Sequence, residues 1–298
     1  MTELAPARPM RIAARLDRMV PWFLLLPALI IFIAFLAVPV GMLFVTSFYS
    51  WDPTQGIQPD LTLANYAKFL SDPFYLGILA RTVRISLVVV LTTLVLGYPV
   101  AYVLTNTHGR TRGFLTIAVL SPLLISMVVR TYGWMILLGQ GGPIDHALRA
   151  IGWENPPKLL FTELGIIIGL THVLLPYMIL SIAGSLERIS PAVIRAAANL
   201  GADRLRIFLR VIFPLSLPGV FSGSVIVFSL SASAFVTPAM LGGPQAKVVS
   251  FLTYEQVAVL LNWPLGSAIA FILMLITAGL LVLYSRVLER SRYGVVFE

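Results

Sequence analysis

SPAVIRAAANLGADRLRIFLRVIFPLSLP, residues Ser190 to Pro218, is a polar, arginine-rich segment lying between two long apolar runs. The chain has 298 residues, of which 58% are hydrophobic and 11% charged, so charges are scarce. Five arginines (Arg188, Arg195, Arg204, Arg206, Arg210) nevertheless share the single connection 187–211. Its apolar residues Val193, Ala196, Ala197, Leu200, Leu205, Phe208 and Leu209 fall near helical spacing beside that basic face. Such a segment fits a docking surface for a soluble partner, an amphipathic helix on anionic lipid, or a plain basic connection between membrane spans.

Outward from the loop, the chain is apolar, with a mean hydropathy of +0.91. A bilayer core needs about 20 helical residues at ~1.5 Å rise. Six runs qualify: 20–47, 82–106, 114–138, 163–186, 212–238 and 265–287. Extended chain is excluded at these depths, because each unpaired backbone group in lipid costs several kcal/mol. The expected fold is therefore an all-α membrane protein of six transmembrane helices. Its divisions are a tail at 1–19, one membrane domain at 20–290 containing the loop at about 187–211, and a tail at 291–298. The run from Val20 to Thr46 is too long for a signal-peptide core and lacks a small-x-small cleavage site, so it reads as a retained span.

An even number of spans puts both termini on one side. Lys and Arg counts identify that side. The N-terminal tail has four (Arg8, Arg11, Arg15, Arg18), loop 107–113 two, loop 187–211 five and the C-terminal tail three (Arg286, Arg290, Arg292). The opposite face has Lys68, Arg149, Lys158 and Lys247. Fourteen against four predicts cytoplasmic termini. Arg81, Arg84 and Arg130 lie at or inside span boundaries. The outer loops 48–81, 139–162 and 239–264 carry Gly, Pro and aromatics and are expected to form short interfacial helices and turns. Trp22, Trp134 and Trp263 suit the interfacial aromatic belt.

Several classes drop out. The net charge of +8 is gathered at span ends rather than along a groove-binding stripe, so no nucleic-acid partner is expected. There is no cysteine, and His108, His146 and His172 are scattered, so no metal site is expected. No phosphate loop of the GxxxxGK[ST] type is present. A membrane enzyme would need a His/Asp/Glu cluster at one depth, and none is seen, so no catalytic residue is expected. An ATP-independent secondary transporter or channel would show intramembrane acids or inverted repeats, and neither is seen.

Within the loop, Ser190-Pro191 is a helix start and Gly201 a helix stop. Asp203 is placed to cap a second helix that runs into the fifth span. The pattern Arg195-Ala196-Ala197, three residues, Gly201, nine residues, then Val211-Ile212-Phe213-Pro214 resembles the EAA loop of ABC-transporter permeases. Arg195 stands where that pattern has Glu, and Val211 and Phe213 replace Ile and Leu. Leu96-Gly97-Tyr98-Pro99-Val100-Ala101-Tyr102, Val129-Arg130-Thr131-Tyr132-Gly133-Trp134, Leu174-Leu175-Pro176-Tyr177-Met178 and Phe235-Val236-Thr237-Pro238 are similar to the polyamine-type (spermidine/putrescine) branch.

The resemblance implies a type I ABC importer permease in a bacterial inner membrane, in contact with lipid. It implies a cytoplasmic ATPase dimer that holds ATP and Mg, so this chain binds no cofactor itself. It also implies a second, different permease subunit and a periplasmic substrate-binding protein. The ATPase-coupling residues would be Arg195, Ala196, Ala197, Leu200, Gly201, Ala202 and Pro214.

Arg130 lies inside a span, where a charge costs about 2.5–3.5 kcal/mol on insertion scales. It reads either as part of the translocation path or outer gate, or as a structural arginine bonded to carbonyls. Tyr132, Trp134, Tyr177 and Phe235 offer an aromatic lining for an amine or, equally, ordinary helix packing. His172 reads as a hydrogen-bonded interior histidine. Pro99, Pro122, Pro176 and Pro238 are expected to bend spans. No acid is clearly mid-membrane; Glu163 and Glu255 come nearest. Besides a polyamine, an amino-acid-like, opine-like or anionic solute fits this pattern.

Overall fold

In the computed structural model, residues 25–295 are described. The tail at 1–19 with its four arginines, Trp22 and the last three residues of the 291–298 tail lie outside them. Helix α1 (Leu25–Thr46) leads into a hairpin of β1 (Tyr49–Asp52) and β2 (Gly56–Leu61). α2 (Ala64–Ser71) and α3 (Pro73–Asn106) follow. Next come α4 (Gly109–Leu124), α5 (Met127–Leu138), α6 (Pro143–Ala150) and α7 (Glu163–Leu186). α8 (Pro191–Asn199) and α9 (Arg204–Ser233) carry the basic loop into the fifth span. α10 (Val236–Leu241), α11 (Val249–Tyr254, extended by a π turn over Glu255–Val259) and α12 (Trp263–Val295) complete the chain.

Among the described residues, α1, α3, α7, α9 and the first part of α12 are each long and apolar enough to cross a membrane. The span predicted at 114–138 is not one helix. It breaks at Ile125–Ser126, and the segments on either side meet at 95°. Two sets of ion pairs show that the broken segment returns the chain from one end of α3 and α7 to the other. Arg81 and Arg84 bind Glu163 at the start of α7, at 3.0 and 2.6 Å. Arg112, just past the end of α3, binds Glu187 at the end of α7. α3 and α7 therefore run parallel, and α4 to α6 return the chain between them.

Three further expectations change. The predicted fifth span, 212–238, ends at Ser233, so Pro238 sits in the short α10 instead of bending the span. Pro218 is the proline inside α9. The outer loop 48–81 holds a two-stranded hairpin, so the fold is not purely α. Asp52 organises its turn by accepting from the Thr54 hydroxyl at 2.5 Å and from the Thr54 and Gln55 N–H groups at 2.8 and 3.0 Å. These donors, the Thr54 hydroxyl first, hold the Asp52 carboxyl below the usual carboxylate range. Finally, α12 is one helix as far as Val295, past the predicted span end at 287.

The main core joins α3, α7 and α9 through Val89, Ile166, Leu170, Met178, Ile179, Ile182 and Val227. Lipid is as apolar as these side chains, so close backbone approach must replace hydrophobic drive. Gly219 and Gly223 provide it. A Cβ added at Gly219 would lie 2.5 Å from Ser185 Cβ, and one at Gly223 2.7 Å from Met178 Sδ. Gly97 does the same for α3, with Ile179 Cγ1 at 3.3 Å. A second cluster (Phe69, Tyr75, Ile78, Leu252, Leu265, Ile269) ties α2, α3, α11 and α12 together. α1 stands largely apart from both, with no buried residue in its apolar window, and Phe44 sets its ring edge-on to Phe271 of α12 and to Phe48, each at 5.1 Å.

Candidate functional site

Two regions carry the residues singled out from the sequence. The first is the basic loop. Ser190 Oγ accepts from Ala192 N at 3.3 Å and Pro191 opens α8, as predicted. Gly201, with φ of +81°, closes it. Its N–H donates to Ala198 O at 3.0 Å, and the Ala202 N–H donates to Ala197 O at 3.2 Å. This is a Schellman C-cap, in which glycine supplies the left-handed turn without a Cβ penalty. Asp203 then accepts from Arg206 N at 2.7 Å and starts α9.

The two helices sort the loop residues by face. Ala197 and Ala202 turn inward and pack on the main core with Ile194 and Phe208. Arg195, Ala196, Gly201 and Pro214 are exposed. Leu200 is 88% and Leu205 66% exposed, a pair of apolar knobs on a basic surface. Pro214 sits in the first turn after the π turn at Phe208–Ile212. That turn aims Phe208 at α3, with its ring 5.7 Å from Tyr98 and 6.1 Å from Tyr102. Tyr98 Oη lies 2.8 Å from Ser216 Oγ. Sequence inspection placed Phe208 on the apolar stripe but missed both tyrosine partners, since the pairing spans more than a hundred residues.

The second region lies beside the middle of α7. Arg130 Nη2 donates to Ile125 O at 2.6 Å, so the guanidinium serves a carbonyl released by the break between α4 and α5. Its buried Nε has no hydrogen-bond partner among the described residues. Tyr177 and His172 on α7 lie within its electrostatic reach. Trp134 Nε1 donates to His172 Nδ1 at 3.2 Å, with the rings edge to face at 5.5 Å. Tyr132 is exposed and joins no ring cluster among the described residues.

Phe235 belongs to a different group. It occupies the kink between α9 and α10, where Ser250 Oγ donates to Ala234 O at 2.5 Å. Its ring lies 4.8 Å from Tyr254 and 6.4 Å from Phe251, both on α11. Phe251 and Tyr254 were not singled out from sequence. Their three-residue spacing was the available signal. Of the five predicted path residues, Arg130, Trp134 and Tyr177 gather beside α7, Phe235 belongs to a separate ring group and Tyr132 joins neither; the packing of α10 on α5 and α7 links the two regions.

No family model matches the chain. It is 30% identical over 255 residues to the spermidine/putrescine transport system permease protein PotB of Escherichia coli, covering 85% of this chain and 92% of that protein. It is equally similar, at 30% over 253 residues and 80% of each chain, to the inner membrane ABC transporter permease protein YdcU of the same organism. In structure it resembles a chain of a bacterial alginate ABC transporter solved with an alginate-bound periplasmic protein. The TM-score is 0.78 at 17% identity, over 94% of this chain and 98% of that one.

Proposed function

This chain belongs to the ABC-transporter permease family, and from that premise we propose that it forms half of the membrane path of an ATP-driven polyamine importer. The single observation behind the substrate is the 30% identity with PotB over 92% of that protein's length. Polyamine is a small, flexible, multiply charged amine, and the aromatic side chains at the 235–254 end suit such a cation.

In this reading α8 is the coupling helix. Its capped start, Schellman stop and continuity with α9 make a stiff lever, and Leu200 and Leu205 are the knobs that a groove on a cytoplasmic ATPase holds. The basic loop faces the cytoplasm together with both termini. ATP and Mg reside in that ATPase. A second permease, different from this chain, completes the path, and a periplasmic binding protein delivers the solute to the 235–254 end. Arg130, Trp134, Tyr177 and Phe235 line or gate the route, with Tyr132 at its edge.

The test is uptake. Proteoliposomes holding this chain with its partner permease, ATPase and binding protein should import labelled spermidine or putrescine only with ATP inside the ATPase compartment. Import of an oxyanion or amino acid and of neither polyamine would defeat the substrate assignment and leave the permease assignment standing.

A further inference from the structure

An ammonium group is already seated beside the aromatic cluster, and it comes from the protein. Lys247 Nζ lies 2.9 and 2.7 Å from the two Glu255 carboxylate oxygens and 5.9 Å from the centre of the Phe251 ring. Phe251 in turn neighbours Phe235 and Tyr254. A carboxylate and the face of an aromatic ring are what a primary alkylammonium requires of a binding site.

The backbone of this lysine is tied down independently of its side chain. Arg81 Nη1 donates to Lys247 O at 3.4 Å, and Val249 N donates to Thr82 Oγ1 at 3.0 Å, both anchoring the segment to α3. The ammonium can therefore leave Glu255 by rotation of its own four-carbon stem, with no movement of the loop. Glu255 and Lys247 are both partly exposed, so the pair is within reach of a solute. On the same helix, Ser250 and Thr253 line a separate, mainly apolar groove with Ser229 and Ser233 of α9 and Leu273 and Met274 of α12, and none of the Lys247, Glu255, Phe251, Phe235 or Tyr254 side chains lines it.

We propose that Glu255, with Phe251, Phe235 and Tyr254, is a primary-ammonium site at the mouth of the path, and that Lys247 occupies it as a built-in substrate mimic. An arriving alkylammonium displaces the lysine, and the lysine refills the site when the solute moves on. The idea rests on the amine reading of the substrate given above.

It predicts an asymmetry that an ordinary ion pair lacks. Initial rates of spermidine import are measured in proteoliposomes of the complete transporter, at equal amounts of assembled complex. Glu255→Gln should lower the rate about tenfold, the factor that loss of one charge-assisted contact carries. Lys247→Met and Lys247→Gln, which vacate the site, should import faster than the wild type, and an unchanged rate in both would overturn the proposal. The exchanged pair Lys247→Glu with Glu255→Lys should stay slow. Equal losses in the Lys247 and Glu255 variants with recovery in the exchanged pair would reduce the cluster to a structural bridge. Wild-type import by Glu255→Gln, or failure of both Lys247 variants to assemble, would also overturn it. If the wild-type complex moves neither spermidine nor putrescine, the substrate reading falls and this inference with it; every other failure is the inference's alone.

Discussion

The Tyr98 hydroxyl and the Ser216 hydroxyl sit 2.8 Å apart, linking α3 to α9 just beyond the π turn that carries Phe208. Phe208 rests between Tyr98 and Tyr102, one turn apart on α3. Any push on the basic loop therefore reaches two spans at once. Phe208→Ala should leave ATPase binding intact and raise the number of ATP molecules hydrolysed per solute imported, because the ring contact is lost and the loop surface is not. Tyr98→Phe removes the hydrogen bond alone and should cost about 1 kcal/mol of stability. The import-to-hydrolysis ratio, measured on both variants, checks this. An unchanged ratio in Phe208→Ala would assign the aromatic contact to packing.

Gly201 is constrained by conformation and not by space. Its φ is +81°, and an added Cβ would meet nothing within 4 Å. Bulk is therefore harmless and the left-handed turn is what matters. Gly201→Ala should cost about 1 kcal/mol and weaken ATPase capture, and Gly201→Val should do worse. Gly201→Asn should be milder than either, since asparagine tolerates this region. Co-purification of the ATPase, ranked Asn above Ala above Val, is the measurement. Equal loss in all three would point to contact with the partner instead.

The α7–α9 seam tolerates no growth. Gly219→Leu or Gly223→Leu would drive a side chain into Ser185 or Met178, contacts that even a single Cβ brings to 2.5 and 2.7 Å. Overpacking usually costs about 1–3 kcal/mol, and here the obstacle at Gly219 includes backbone, Ser181 O at 2.6 Å. The thermal midpoint of the detergent-solubilised protein should fall sharply in both. Gly77→Leu, at a position with nothing within 4 Å, is the control and should leave it unchanged.

Arg130 separates two roles by experiment. Lysine keeps the charge and loses the fork that reaches Ile125 O. If the arginine holds the broken helix together, Arg130→Lys should lose about 1.5–3 kcal/mol, the usual worth of a charged hydrogen bond. Uptake should then fall in step with thermal stability. Full stability with lost uptake would instead assign the charge to the path.

Much of this was legible in the sequence because it rests on short-range chemistry. Ser190-Pro191, Gly201 and Asp203 each act on backbone groups two or three residues away, and each sits where its residue type required. Apolar run length likewise found the membrane-crossing helices. The break at Ile125–Ser126 was hidden because hydropathy stays high through it, and Pro122 signalled only a bend. The β1–β2 hairpin was missed because Trp51-Asp52-Pro53 marks a turn without marking what flanks it. The Lys247–Glu255–Phe251 cluster needs α11 to be helical, which an outer loop rich in Gly and Pro does not announce. Arg81, Arg84 and Glu163 were noticed singly, but their pairing bridges about 80 residues and becomes visible only in three dimensions.

The broken span also sets a length. α4 has 16 residues and α5 has 12. At ~1.5 Å per residue they extend about 24 and 18 Å, and at a right angle their joint reach along any one direction is at most about 30 Å. A hydrocarbon core is about 30 Å thick. The two helices by themselves only just match that thickness, whereas the 34-residue α3 beside them exceeds it. In longer-chain lipid, straightening of the bend at residues 125 and 126 or local thinning of the bilayer would relieve the mismatch. Acyl-chain length becomes a mechanical input to this subunit, acting first on this bent helix pair.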